Sequence, residues 1–458
     1  MSQRQDTGVT EAIARFAHDS DVNTAPAEVW ELARRAVVDT VGVAIAARRD
    51  PGFQTLLETM RPELPDGQAT VLATRERTSA AAAALLNGGG GHALDFDDVA
   101  DQMYGHPSVV LVPTVLAVAE AEGAGGREVL EAYSVGFDVI CAIAAGMDVR
   151  AHYAHGWHST ATIGLLGATA AAARICRLDP ERTRHALGLA ASMASGSRQN
   201  FGSMTKPLHP GLAARDAVLA TNLARNGFTA DSAQLEAPLG YFAMYGHSVD
   251  LEAVLDALNT PGALAKYGIN VKKYPCCYNT HRTADVMLHL VKENDLRPEQ
   301  VAAIRLTLEP RGYDPLIHRR PSTGLQAKFS PEYVLAASIL DRSVTLSSFL
   351  DDAVRRPEAQ RLGGLVTREE SAVPPFGPQG WEYAYAAVEV ETTDGDVLRH
   401  RADVARGDAG APLTRSELEA KFRDCLDFSG TGWDADRLLA ELWQIDEQGE
   451  SDLLNLRL

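Results

Sequence analysis

Cysteine is scarce in this chain. Only five occur, Cys141, Cys176, Cys276, Cys277 and Cys425, an odd set without CxxC spacing. That excludes a disulfide framework and a cysteine zinc site, and reduced thiols fit the cytoplasm. Positive charge is also short: 43 Lys and Arg against 61 Asp and Glu leave a formal net charge of -18. A nucleic-acid partner is argued against, because a phosphate backbone is bound through clustered cations. No apolar run approaches a membrane span, and the polar start Met1-Ser2-Gln3-Arg4-Gln5-Asp6 leads into a helical pattern. The expectation is a cytoplasmic protein with no membrane partner. A GxxxxGK phosphate loop is missing, and Gly88 to Gly91 has neither the strand nor the lysine that phosphate binding needs, so no nucleotide cofactor is indicated.

What is abundant is small and aliphatic. Hydrophobic residues make up 45% of the chain and aromatics 6%, a mixture rich in Ala, Leu and Val that suits close-packed helices. At 458 residues the chain exceeds one ordinary core, so two domains are expected. Apolar residues recur at helical spacing from Glu11 to Ala47, from Ala80 to Leu86, from Leu111 to Glu122, from Arg127 to Val149, from Ser159 to Ile175 and from Gly211 to Gly227. Asn87 with Gly88 to Gly91 is expected to end the Ala80 to Leu86 helix. After Lys272 the texture changes: Val301 to Leu308 and Ala384 to Thr392 alternate like strands, with Thr393-Asp394-Gly395-Asp396 as a hairpin turn into Val397 to Ala402. Thr414-Arg415-Ser416-Glu417 reads as a capping box that opens a helix. The fold class expected is mostly α, with residues 1–270 a large all-helical domain, completed by 405–458, and 271–404 a smaller α+β lid domain.

Two stretches carry candidate chemistry, Gly156-Trp157-His158-Ser159-Thr160 and Gly202-Ser203-Met204-Thr205-Lys206-Pro207-Leu208-His209-Pro210-Gly211. Each puts a histidine or a lysine at a glycine-marked break between helical runs. A histidine that moves a proton and a lysine that stabilises the resulting negative charge suit carbon-acid chemistry on an anionic substrate. Lys206 precedes Pro207, which biases it away from helix and onto a loop. His152, His155 and His158 repeat every three residues, but Gly156 interrupts the face that would align them on a metal, and no metal is expected. Asp97-Asp98-Val99-Ala100-Asp101 spells DDxxD, the magnesium and diphosphate pattern of prenyl and terpene synthases. No second acidic motif accompanies it, and the aromatic content is low for a carbocation cavity.

Six motifs in order carry a family resemblance: HALDFDD from His92, GHPS from Gly105, GWHSTAT from Gly156, NFGSMTKPLHPG from Asn200, KKYPCCYNTH from Lys272 and AKFSPEY from Ala327. The chain resembles the MmgE/PrpD family, which includes 2-methylcitrate dehydratase, cis-aconitate decarboxylase and iminodisuccinate epimerase. The resemblance implies a homodimer with a metal-free, cofactor-free site between a helical domain and a lid. Carried over by position, the site falls on Asp95, His106, His158, Lys206 and the Cys276 to His281 segment, with Asp95, His106, His158, Lys206 and His281 as the catalytic candidates. The expected substrate contacts are Lys206, Cys277, His209, Lys272 and Arg320. His209 reads equally as a packed turn residue, and Arg282, Arg319, Arg320 and Lys328 are surface cations by default, one of which closes over a substrate carboxylate from the lid. Asp95 is expected to orient a catalytic histidine or to bind substrate, with His158 and His106 on opposite sides of it. Val99 stands where decarboxylase-like members have threonine, and Cys277 where they have histidine, and both count against a decarboxylase. The MYGHPS, GWHSTA, NFGSMTKP and CYNTH stretches lie nearer the epimerase pattern. The implied enzyme removes a proton α to a carboxylate of a small di- or tricarboxylic acid, as a hydro-lyase or an epimerase. The alternatives are a cis-aconitate-type decarboxylase, a magnesium-dependent prenyl synthase and a catalytically inactive dimeric scaffold.

Overall fold

The structure is a computed structural model and describes residues 8–449; the Met1 to Asp6 stretch lies outside them. Most of the chain is helical, with a smaller α+β part. Apolar residues between 9 and 271 share one large core with those between 413 and 445, and residues between 274 and 402 build two smaller cores. The C-terminal helix Arg415–Ser429, opened by the Thr414 capping box, lies on the Ala27–Ala46 helix. Gly42 allows this approach, since a Cβ there would sit 2.7 Å from the Phe422 ring. Among the described residues no helix is long and apolar enough to cross a membrane.

The glycine run does not end its helix. Ser79 caps the Ala80–Ala93 helix, which continues through Gly88, Gly89, Gly90 and Gly91. Helical glycine costs roughly 1 kcal/mol relative to alanine, and here the missing side chains are what permit packing. A Cβ on Gly88 would lie 2.9 Å from the Gly211 Cα, one on Gly211 2.6 Å from the Leu85 carbonyl oxygen, and one on Gly91 2.9 Å from a Val109 methyl. The Ala80–Ala93 and Thr205–Arg225 helices therefore touch backbone to backbone and run antiparallel. The end of the first meets the start of the second.

Lys206 sits in the first turn of the Thr205–Arg225 helix, not on a loop. Pro207 is tolerated because a first-turn nitrogen has no intrahelical acceptor to lose. The expected 159–175 helix is divided at Ile163 into Ser159–Thr162 and Gly164–Ile175. The expected 127–149 helix ends at Ala145, after which Asp148 caps a short Val149–Ala154 helix. The region before 270 is also not wholly helical, since Ala69–Thr70 and Arg77–Thr78 pair as a two-residue ribbon.

In the α+β part the sheet order is Val366–Glu370, Val301–Leu308, Ala386–Thr392, Val397–Ala402. The first pair is parallel and the others are antiparallel. The His281–Asn294 helix covers one face through Val286, Met287 and Leu290. This helix and the Val366–Glu370 edge strand were not anticipated from the sequence.

Candidate active site

The site grows from the C-terminal end of the Ala80–Ala93 helix. Leu94 closes the helix, and Asp95 follows at φ +51 in the left-handed region that aspartate tolerates better than most residues. This reversal turns the Asp95 carboxylate toward the start of the Thr205–Arg225 helix. Lys206 Nζ donates to Asp95 Oδ1 at 2.6 Å, and Lys272 Nζ lies 3.2 Å from the same oxygen. All three side chains are almost wholly buried. Burial alone would raise Asp95, but the two ammoniums outweigh it and hold the carboxyl well below the usual range. Burial would likewise lower Lys272, yet the Asp95 and Asp97 charges raise it. Two cations against one anion leave the cluster one positive charge in excess.

Two residues further on, Asp97 gathers two imidazoles. His92 Nδ1 lies 2.8 Å from Asp97 Oδ2, and His106 Nδ1 lies 3.2 Å from the same oxygen and 2.9 Å from the Asp98 carbonyl. Each Nδ1 faces acceptors only, so each carries the hydrogen and leaves its Nε2 with the lone pair. Burial pushes His92 down to about 3, against the pull of Asp97, and the ring is neutral. Asp97 is held well below the carboxylate range because its two imidazole partners overcome its burial. Asp98 goes the other way: burial, opposed in part by Ser108 and reinforced by Asp39 and Asp97, pushes it up to about 8. It is a neutral acid beside an ionised one.

His158 lies one layer deeper. Gly156, at φ +100 where an L side chain is strained, turns the chain into the Ser159–Thr162 helix with His158 as its N-cap. The His158 and His209 Nδ1 atoms are 3.1 Å apart, one donating to the other, and the His158 ring also packs on His92 and Phe201. Burial, with nearby His92, Lys206 and His106, keeps His158 well below its ordinary value and neutral.

The open cleft is lined from both parts of the chain. Asp95, Val99, His106 and Lys206 come from the helical part, and Lys272, Cys277, Tyr278 and Phe329 from the linker and the α+β part. Burial pushes the Cys277 thiol up to about 11, which makes it a lining group and a poor nucleophile.

The structure thus brings together Asp95, His106, Lys206, Lys272 and Cys277, with His158 and His209 directly behind. It corrects several expectations. Asp97, not Asp95, orients the histidines; Asp95 holds the lysines. His158 is absent from the cleft wall, and its ring centroid is 6.4 Å from that of His106, so the two rings share one cluster and do not face each other across the cleft. His281 is fully buried against Tyr274 and Tyr278, its Nε2 3.4 Å from the Cys276 carbonyl, and does not line the cleft. Arg320 is exposed and does not line it either. His92 was missed, and Asp97 reads from the sequence as a cap or solvated charge rather than the partner of two imidazoles. The HALDFDD motif contained both, but only the turn at Asp95 shows that His92 and Asp97 meet.

His152 donates through Nδ1 to the Tyr245 carbonyl and meets Thr162 Oγ1 through Nε2, and His155 stacks on His247, so the HxxHxxH residues do not converge. His92, Asp97 and His106 do offer ligand atoms within 4.8 Å of one another. Both Nδ1 atoms already donate to the carboxylate, so a cation there would have to displace both hydrogens. The DDxxD aspartates do not present an outward acidic face: Asp97 and Asp98 are fully buried, and Asp101 accepts from Asn270.

The MmgE/PrpD N-terminal domain model matches residues 11–253 and the MmgE/PrpD C-terminal domain model matches residues 274–445. Among curated proteins, the chain is similar to the cis-aconitate decarboxylase of Homo sapiens, 27% identical over 430 residues that cover 91% of this chain and 87% of the relative. The Mus musculus enzyme of that name is 29% identical over 429 residues, covering 91% and 86%. That of Aspergillus terreus is 25% identical over 445 residues, covering 91% and 89%.

Proposed function

The chain belongs to the MmgE/PrpD family, and from that premise we propose that it moves a proton at the carbon α to a carboxylate of a small di- or tricarboxylic acid. The observation that carries this reading is the meeting, in one cleft, of the His106 ring with the Lys206–Asp95–Lys272 cluster. The excess positive charge receives a substrate carboxylate. In a partly desolvated cleft it also stabilises the negative charge that builds on that carboxylate as the α-proton leaves. The His106 Nε2 lone pair takes the proton, and the imidazolium formed is stabilised through Nδ1 by Asp97 and the Asp98 carbonyl. A neutral Asp98 keeps the second carboxyl from adding a repelling charge beside Asp97.

The second step sets the reaction. Expulsion of a β-hydroxyl makes a hydro-lyase, and return of the proton to the other face makes an epimerase. The Val99 and Cys277 departures favour these two. The names of the relatives favour a second reading, in which the His106 imidazolium protonates the alkene of an unsaturated tricarboxylate as carbon dioxide leaves and the double bond shifts. We also propose a homodimer, as the resemblance implies, which sedimentation of the purified chain tests.

NMR of citrate, 2-methylcitrate, cis-aconitate, aspartate and iminodisuccinate-type acids incubated with the protein in heavy water separates these outcomes. Deuterium entering an α position without net conversion supports the epimerase, an alkene product supports the hydro-lyase, and loss of a carboxylate supports the decarboxylase. No exchange and no product across the panel sinks the reading and favours an inactive scaffold.

A further inference from the structure

Three buried ammonium groups end on three consecutive carbonyls. Lys328 Nζ donates to Leu94 O at 2.5 Å and to Pro275 O at 2.8 Å, Lys272 Nζ donates to Asp95 O at 2.8 Å, and Lys421 Nζ donates to Phe96 O at 2.8 Å. These carbonyls sit at or just past the last turn of the Ala80–Ala93 helix, where backbone oxygens lack intrahelical donors and the helix dipole is negative. None of the three lysines is more than 8% exposed. They come from three separate stretches: the linker at 272, the residue after the Gly324–Ala327 helix, and the Arg415–Ser429 helix.

Lys328 differs from the other two. Lys272 is also paired with Asp95, and Lys421 with Asp39 at 2.6 Å, whereas Lys328 bonds through its amine to backbone only, beside the Phe349 ring. Its own carbonyl accepts from the Cys277 amide at 2.9 Å. One residue of the α+β part thus holds the end of the helical part at Leu94, the linker at Pro275 and the cleft wall at Cys277.

We infer that Lys328 is a positioning residue, tying the Asp95 turn, and with it the Lys206–Asp95–Lys272 cluster, to the seating of the α+β part. Asp95 keeps its left-handed backbone because the carbonyls on either side are held. Without the Lys328 amine, Leu94 O and Pro275 O are left buried without this donor, and the carboxylate that sets both cleft lysines is free to turn. The catalytic consequence rests on the function proposed above, but the tie itself does not.

The test compares the full chain with Lys328→Met, which keeps the length and loses the donors, and with Lys328→Arg, which keeps donors. Hydrogen exchange is read by mass spectrometry together with steady-state turnover. In Lys328→Met the peptides spanning 94–106 should exchange at least about tenfold faster, while those of the Gly126–Ala145 and Gly164–Ile175 helices keep their rates. Turnover of the substrate found in the heavy-water panel should fall by about tenfold or more, and Lys328→Arg should recover a measurable part of both. Unchanged protection at 94–106 in folded Lys328→Met overturns the inference, as does faster exchange spread evenly over the whole chain. Should Lys328→Met not fold, Lys328→Arg carries the test: faster exchange confined to 94–106 supports the tie, and exchange unchanged there or altered evenly over the whole chain overturns it. If no substrate is turned over, the functional reading fails while the exchange result still decides the tie.

Discussion

Replacing Asp98 by asparagine separates the two neighbouring carboxyls, because it removes a titration and preserves the shape. Asp98 is fully buried and pushed from its ordinary 3.8 up to about 8, chiefly by burial. A carboxyl raised on folding is protonated in the native state while the unfolded chain has released its proton. Its contribution to stability is therefore full below pH 3.8 and is lost progressively as pH rises to about 8. Between pH 5 and pH 7 that contribution falls by roughly 3 kcal/mol. His92, at about 3 in the folded chain, works in the opposite sense: its contribution is full above its ordinary 6.5 and is lost as pH falls. The net curve of the native protein is thus uninformative, and the difference between native and variant is the quantity to measure. Guanidinium unfolding at pH 5, 6 and 7 should show Asp98→Asn gaining on the native chain by roughly 3 kcal/mol across that range, since asparagine does not titrate and the His92 contribution cancels. Parallel curves would refute the reasoning and mean that Asp98 is ionised in the fold, leaving Asp97 with a charged neighbour.

Three further outcomes follow from the packing of the site. Lys206→Met should reduce kcat/KM by at least about a hundredfold on the substrate found in the heavy-water panel, with circular dichroism unchanged; near-normal turnover rules out the anchor role. His106→Gln should slow α-proton exchange into heavy water by roughly a hundredfold to ten-thousandfold. His158→Gln, one layer behind the cleft, should slow it less, and the reverse order would transfer the base to His158. Gly211→Ala puts a Cβ 2.6 Å from the Leu85 carbonyl oxygen and 2.8 Å from the Gly89 nitrogen, so thermal unfolding should show a loss of about 1–3 kcal/mol. Turnover should drop as well, because the same contact sets Lys206 beside Asp95.

The helices, the hairpin at Thr393 to Asp396 and the capping box at Thr414 were legible because each is written in local periodicity or in a turn residue. The Gly88 to Gly91 run misled because glycine's cost in a helix is local, while its compensation comes from Gly211, far along the chain. Lys206 misled for a related reason. A residue before proline is biased away from helix, but the bias is weakest in a first turn, where the proline nitrogen has no bond to give up. The parallel strand Val366–Glu370 carries no hairpin signal, since its partner Val301–Leu308 lies across intervening helices.

That Asp95, His106, Lys206, Lys272 and Cys277 meet in one cleft follows the motifs, whereas what each touches was not legible, and the reason lies in seven residues. His92 lies in the last turn of a helix, the Leu94, Asp95 and Phe96 carbonyls sit at or past its end, and Asp95, Asp97 and Asp98 share that short stretch. In sequence the three aspartates look alike. In the fold each meets a different neighbour: two ammoniums at Asp95, two imidazoles at Asp97, and a serine amide with apolar surroundings at Asp98. One carboxylate therefore faces cations, the next faces imidazoles, and the third stays neutral. Of those neighbours only His92 lies within HALDFDD; the others are residues 106, 108, 206 and 272, so spacing within the motif does not tell the three aspartates apart. A helix terminus, negative by its own dipole, is a costly place to bury further acids; Lys206 and Lys272 face Asp95, two imidazoles face Asp97, and Lys272, Lys328 and Lys421, brought from the linker, the α+β part and the Arg415–Ser429 helix, hold the adjoining carbonyls. The site consequently depends on all three arriving together, which is why a lysine outside the reacting cleft, Lys328, is expected to matter to what happens inside it.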